Sequence, residues 1–181
     1  MKKNHSIAAM TLTVTLSLIC TSIALGAPPK DPANAEAAFQ RLKTLAGRWE
    51  GTTPHGKIAL VYEVVSDGQA LVEHEFMPSA SGRPEEQMVT VYNLDRGHLV
   101  MTHYCHIGNQ PHMQAQAFDS GSNAIRFDFT EGGNMTGDPD EVAMRRLVIT
   151  FTSPDDLATE WTLYKGTQAQ QPMALVYHRV K

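Results

Sequence analysis

From residue 57 onward, apolar side chains recur at every second position. Residues 57–66 set Ile58, Leu60, Tyr62 and Val64 on one face. A period of two is the signature of a strand with one buried face. Segments 69–77, 87–94, 98–106, 113–119, 124–130, 145–152, 158–165 and 171–180 read the same way, and a first strand starts near Trp49. Turn-forming residues separate them: Asp67-Gly68, Asp95-Arg96-Gly97, Ser120 to Asn123, and Ser153-Pro154-Asp155-Asp156. Residues 78–86 form a Ser-, Gly- and Pro-rich loop, and 132–140 is the longest irregular stretch. Short strands at this regular spacing predict an all-β, antiparallel, up-and-down β-barrel of about ten strands, since closure removes the exposed edges.

Only one segment has helical spacing. In 35–45, Phe39, Leu42 and Leu45 fall at three-residue steps among Glu36, Gln40, Arg41 and Lys43. Asp31 suits the N-cap, Pro32 the first helical position, and Gly47 the stop. This short N-terminal helix needs an apolar surface to lie on.

Alternation also selects the side chains that face the barrel interior. In 69–77 the charged Glu73 and Glu75 suggest an outer face, which points Ala70, Val72, His74 and Phe76 inward. In 98–106 the inward set is Leu99, Met101, His103 and Cys105, with Tyr104 and His106 outward. One bulge would invert either assignment.

Residues 1–27 carry the pattern of a secretory signal peptide. Lys2 and Lys3 precede an apolar run at 7–25, small residues at Ala24, Gly26 and Ala27 follow, and Pro28-Pro29 ends it. An uncleaved membrane anchor is the alternative. A lipid-modified Cys20 is disfavoured because Ile19 stands where a small residue is needed. The expected organisation is a signal peptide at 1–27, a linker at 28–34 and a barrel domain at 35–181, exported to the periplasm or secreted. Without Lys2 and Lys3 the chain has 13 basic and 19 acidic residues, a charge of −6. That balance provides no basic footprint for nucleic acid or anionic lipid. Loss of Cys20 with the leader leaves Cys105 alone, so no internal disulfide is expected.

The segment Leu45-Ala-Gly-Arg-Trp-Glu-Gly51 adds a resemblance. A Gly-x-Trp entering the first strand just after a short helix resembles the calycin superfamily of lipocalins, fatty-acid-binding proteins and nitrobindin-like barrels. The Thr102-His-Tyr-Cys and Gly108-Asn-Gln-Pro111 segments look like exported bacterial lipocalin-like proteins. The resemblance implies that Trp49 lies at the closed end of the barrel with Arg179 of the last strand across it. It also implies structural roles for Gly47, Trp49 and Arg179. Chemistry points the same way, because a guanidinium over an indole gains about 0.5–2 kcal/mol.

Three readings of the interior follow. The first is a cavity for a small, mostly apolar molecule. Phe76, Met101, Phe127, Phe129 and Met173 would supply surface, with His74, His103, Cys105 and Tyr177 among its lining residues. Against it stands a barrel simply filled by these side chains. The second is a metal or haem site. His74, His103 and Cys105 are suitable zinc ligands, but no Cys-x-x-Cys or His-Glu-x-x-His spacing is present. Nitrobindin-like barrels hold haem through a histidine, and His74, His103 or His178 is conceivable. The third is a Cys105 nucleophile with His74 as base across strands, against a buried inert thiol. Gly108 to Pro111 is expected to be a turn at the barrel rim. Asp138 and Asp140 lack the glycine and closing Glu of a calcium loop. The expected role is non-enzymatic binding of a small hydrophobic ligand, with no cofactor, the alternative being a haem- or zinc-dependent protein. Oligomeric state is left open.

Overall fold

The computed structural model describes residues 32–79, 85–116, 118 and 121–181. The expected leader, most of the linker, the middle of the 78–86 loop and part of the 120–123 turn lie outside the described residues.

The helix α1 spans Pro32–Lys43. Its three- and four-residue spacing gathers Ala38, Phe39 and Leu42 into one buried stripe, which Leu45 continues. The Leu45 and Ala46 N–H groups donate to the Leu42 and Lys43 carbonyls, tightening the last turn. Gly47 then takes φ +118°, a conformation that strongly favours glycine.

The strands follow as β1 (Gly47–Thr53), β2 (Gly56–Val65), β3 (Ala70–Met77), β4 (Glu85–Asp95), β5 (His98–Tyr104), β6 (Gln110–Ala115), β7 (Ala124–Gly133), β8 (Val142–Ser153), β9 (Asp156–Lys165), the two-residue β10 (Gln168–Ala169) and β11 (Met173–Arg179). Each strand from β1 to β9 pairs with the next, and β11 inserts between β9 and β1. Apart from β10, which adds beside β9, ten antiparallel strands close on themselves. The expected fold class is the observed one, and it is compatible with a calycin-like fold.

Some boundaries differ from expectation. The rim turn falls on Cys105 to Asn109, closed by Gly108 N–H to the Cys105 carbonyl and Cys105 N–H to the Asn109 carbonyl. Strand β6 therefore begins at Gln110 rather than 113 and ends at Ala115 rather than 119. Pro111 fits inside it because β5 pairs with β6 only through Val100, Met101 and Thr102, where Pro111 owes no N–H.

The inward face of β5 is as expected, with Leu99, Met101 and His103 buried and Tyr104 exposed. The face of β3 is inverted. Leu71, Glu73 and Glu75 are buried, whereas Ala70, Val72, His74 and Phe76 are half-buried on the outer side. Charge was a poor guide to parity here, because this interior is polar enough to receive carboxyls. Leu71, the residue the charge argument ignored, packs against the core and sets the register.

The barrel is filled at one end. Trp49, Leu60, Tyr92, Leu99, Phe127, Leu147 and Leu157 pack there with Phe39, Leu42 and Leu45 of α1. The Trp49 Nε1–H donates to the Leu45 carbonyl at 2.7 Å. The Arg179 guanidinium lies 4.2 Å from the Trp49 ring centroid. It also donates to the Thr44 and Ala46 carbonyls at 2.8 and 2.9 Å. One cation thus covers the indole and satisfies carbonyls at the helix C-terminus.

Candidate functional site

The opposite end of the barrel is open. A cavity of about 560 Å³ enters between the end of β1 and the start of β11. Those strands pair only at Trp49–Arg179 and Glu50–His178. Gly51 lies tight against β11, since a Cβ there would stand 2.2 Å from the Val176 carbonyl oxygen. Beyond it, Thr52, Thr53 and Pro54 face Met173, Ala174, Leu175 and Val176 across the opening.

Met77, Met88, Met144 and Met173 contribute to the wall, and Trp161 joins them from β9. Methionine thioethers adapt their shape and are polarizable, which suits a binding surface. His55 and His106 stand among the lining residues with Glu75 and His103. His106 is exposed, and its Nδ1 lies 3.5 Å from the Met88 sulfur. Glu75 and His103 are 4% and 1% exposed, so they belong to the depth of the cavity rather than to its rim.

The β register explains how these groups meet. Glu73 pairs with Thr90, and Thr90 with His103, forming a row across β3, β4 and β5. Glu75 stands one inward position further toward the opening, opposite Met88. The His103 Nδ1 lies 2.9 Å from the Thr90 hydroxyl. Its ring leans on Trp161 with centroids 4.6 Å apart. Its Nε2 is buried and has no hydrogen-bond partner. Tyr92 donates its hydroxyl to Glu73 Oε2 at 2.8 Å. The hydroxyl of Tyr62 is also buried near Glu73, but makes no hydrogen bond of good geometry.

Burial dominates the electrostatics. It pushes the Glu75 carboxyl up to about 8, and the neighbouring Glu73 adds to the rise. Burial raises Glu73 too, against opposing hydrogen bonding from the tyrosines. Tyr62, Tyr92 and Tyr177 are raised, first by burial and then by the nearby carboxylates. Desolvation lowers His103 to about 4, helped by His106, so its imidazole is neutral near pH 7.

The residues singled out in the sequence separate into groups. His103 and Met173 reach the cavity. Met101, Phe127 and Tyr177 are buried in the packed interior, with Phe127 5.6 Å from the Tyr92 ring. Phe129 is half-buried beneath the Arg145 guanidinium, 4.8 Å from its ring centroid. His74 and Phe76 are on the outer face, where Phe76 lies 5.9 Å from the Arg48 guanidinium. His74 is therefore separated by the sheet from His103 and Cys105, and the three cannot share a zinc ion. Among the described residues no group of three His, Cys, Asp or Glu side chains is arranged to hold a metal. The same separation removes His74 as a base for Cys105. Burial raises the Cys105 thiol, partly offset by backbone N–H groups of Ile107 and His106, so it stays protonated. His178 is exposed and bonds Asp156 at 2.6 Å, away from the interior.

Sequence reasoning missed Glu75, Trp161 and the methionine wall. The alternation of Leu157, Thr159 and Trp161 in β9 carried a usable signal, because it puts Trp161 on the inward face. Comparison with protein-family models and with curated proteins returned no match to the chain.

Proposed function

We propose that this chain is an exported, calycin-like binding protein that holds a small, predominantly apolar molecule in the open end of its barrel. The observation that carries this reading is the cavity. About 560 Å³ is within the size range of small-molecule sites. Ten of its sixteen lining residues are apolar, four of them methionines, and of the polar ones Glu75 and His103 stand at its depth. A neutral imidazole with an unpartnered nitrogen and a carboxyl stripped of water are costly features in a merely structural interior. A ligand would supply the missing partner. The opposite end is packed and held by Trp49, Arg179 and α1, which leaves the open end as the place for a ligand.

Zinc finds no suitable ligand set among the described residues. For haem, His103 Nε2 is the one earlier candidate with a nitrogen at the cavity. The buried Glu75 carboxyl lining the same cavity is a poor neighbour for a macrocycle.

Native mass spectrometry of freshly purified full-length protein tests the proposal. A small organic molecule retained at one per chain, and lost on organic extraction, is the expected result. Protein of bare chain mass that also takes up no member of a panel of apolar aromatic and aliphatic compounds would refute it. A retained haem mass with an absorption band near ~400 nm would refute the preference for an apolar ligand.

A further inference from the structure

Resting on the cavity reading, we propose that the ligand is an organic cation: a primary or secondary ammonium group on an apolar body, seated between Glu75 and His103. Three independent features support this.

The first is the charge of the lining. Glu75 is buried at the depth of the cavity, and no Lys or Arg is among the lining residues described. At that depth no Lys or Arg would receive an anionic headgroup, and His55 and His106 stand exposed at the rim. A carboxylate ligand would meet Glu75 and a neutral imidazole, whereas an ammonium would meet a group able to become its counter-ion.

The second is hydrogen-bond order. Tyr92 donates its proton to Glu73 Oε2. The Thr90 hydroxyl and His103 Nδ1 share a 2.9 Å contact whose direction follows the imidazole tautomer, and with the proton on Nδ1 the hydroxyl accepts. In that tautomer Nε2, buried and without a partner, is a bare lone pair. A ligand that satisfies it must donate. An ammonium carries two or three N–H groups, enough for both Nε2 and Glu75.

The third is the wall. The Trp161 ring beside His103 offers a face for a cation. Polarizable thioethers of Met88 and Met144 border the same depth, while the apolar body of the ligand would extend toward Met173 and Leu175.

Isothermal titration of the full chain with 2-phenylethylamine, 2-phenylethanol and 3-phenylpropionate at near-neutral pH separates the possibilities. These three share an apolar body and differ in headgroup. The expected order is amine first, the alcohol about tenfold or more weaker, and the acid weakest, as a charge-assisted hydrogen bond requires. In Glu75→Gln protein the amine-to-alcohol ratio should collapse toward one. If the alcohol binds as tightly as the amine, or the acid binds best, the cation assignment is overturned while the cavity reading survives. If none of the three binds, the cation assignment is overturned, and the retained mass and the compound panel decide the cavity reading separately. The wild-type order decides the matter even if the variant fails to fold.

Discussion

Glu75 is the residue whose behaviour departs most from that of a surface carboxyl. Its pKa rises from 4.5 to about 8 through burial, with Glu73, Tyr92, Tyr177 and Cys105 as its electrostatic neighbours. The folded chain therefore keeps a proton that the unfolded chain releases above about pH 4.5. Stability from this group is fully present below pH 4.5 and is lost as pH rises toward 8. The slope approaches 1.4 kcal/mol per pH unit at most, about the linkage value for one proton. His103 acts in the opposite sense, losing stability as pH falls from 6.5 toward 4. Melting curves of wild type and Glu75→Gln from pH 5 to 8 should therefore diverge, the variant gaining relative stability as pH rises. Parallel curves would mean that Glu75 is solvated. Cys105 gives a second prediction at this scale. As a buried, protonated thiol it should react with a disulfide reagent in native protein far more slowly than in denaturant. Comparable rates would place it outside the interior. The sequence made His103 legible, because Leu99 and Met101 share its face and are plainly apolar. It hid Glu75, because a carboxyl in an alternating strand ordinarily marks the outer face. Only the pairing of β3 with β4 shows that Tyr92 waits inside to donate to its neighbour Glu73.

Among the elements, the joint between α1, β1 and β11 determines which end of the barrel is closed. Arg179 donates to the carbonyls of Thr44 and Ala46, covers Trp49, and lies 3.5 Å from Asp155. Replacing Trp49 by Ala should cost about 3–5 kcal/mol, the usual loss for a fully buried large aromatic, and lower the melting temperature sharply. Arg179→Ala should cost less, about 1.5–3 kcal/mol, through unpaired carbonyls. A Trp49→Ala protein that melts at the wild-type temperature would show that the closed end does not depend on this joint. Element types and the position of α1 were readable from period alone, since 3.6 and 2 are well separated. The start of β6 was not. Gly108 to Pro111 has strong turn chemistry, but Cys105 and Asn109 take the turn through backbone hydrogen bonds that leave no mark on the residue pattern.

At the scale of the molecule, ten strands enclose one interior divided into a packed half and an open half. Strand count could be read by counting periods. Whether a cavity remains depends on side-chain volumes across non-adjacent strands, which no local pattern encodes. The open half brings Met77, Met88, Met144 and Met173 to one wall, whereas Met101 and Met113 lie in the packed core. This division allows a direct test of where binding occurs. Methionine methyl groups labelled with carbon-13 give separate NMR signals for the two sets. During titration with 2-phenylethylamine, the signals of Met77, Met88, Met144 and Met173 should shift together and saturably, while those of Met101 and Met113 stay near their free positions. Shifts confined to the core methionines, or saturable binding that moves none of the four wall methionines, would contradict a ligand site at the open end of the barrel.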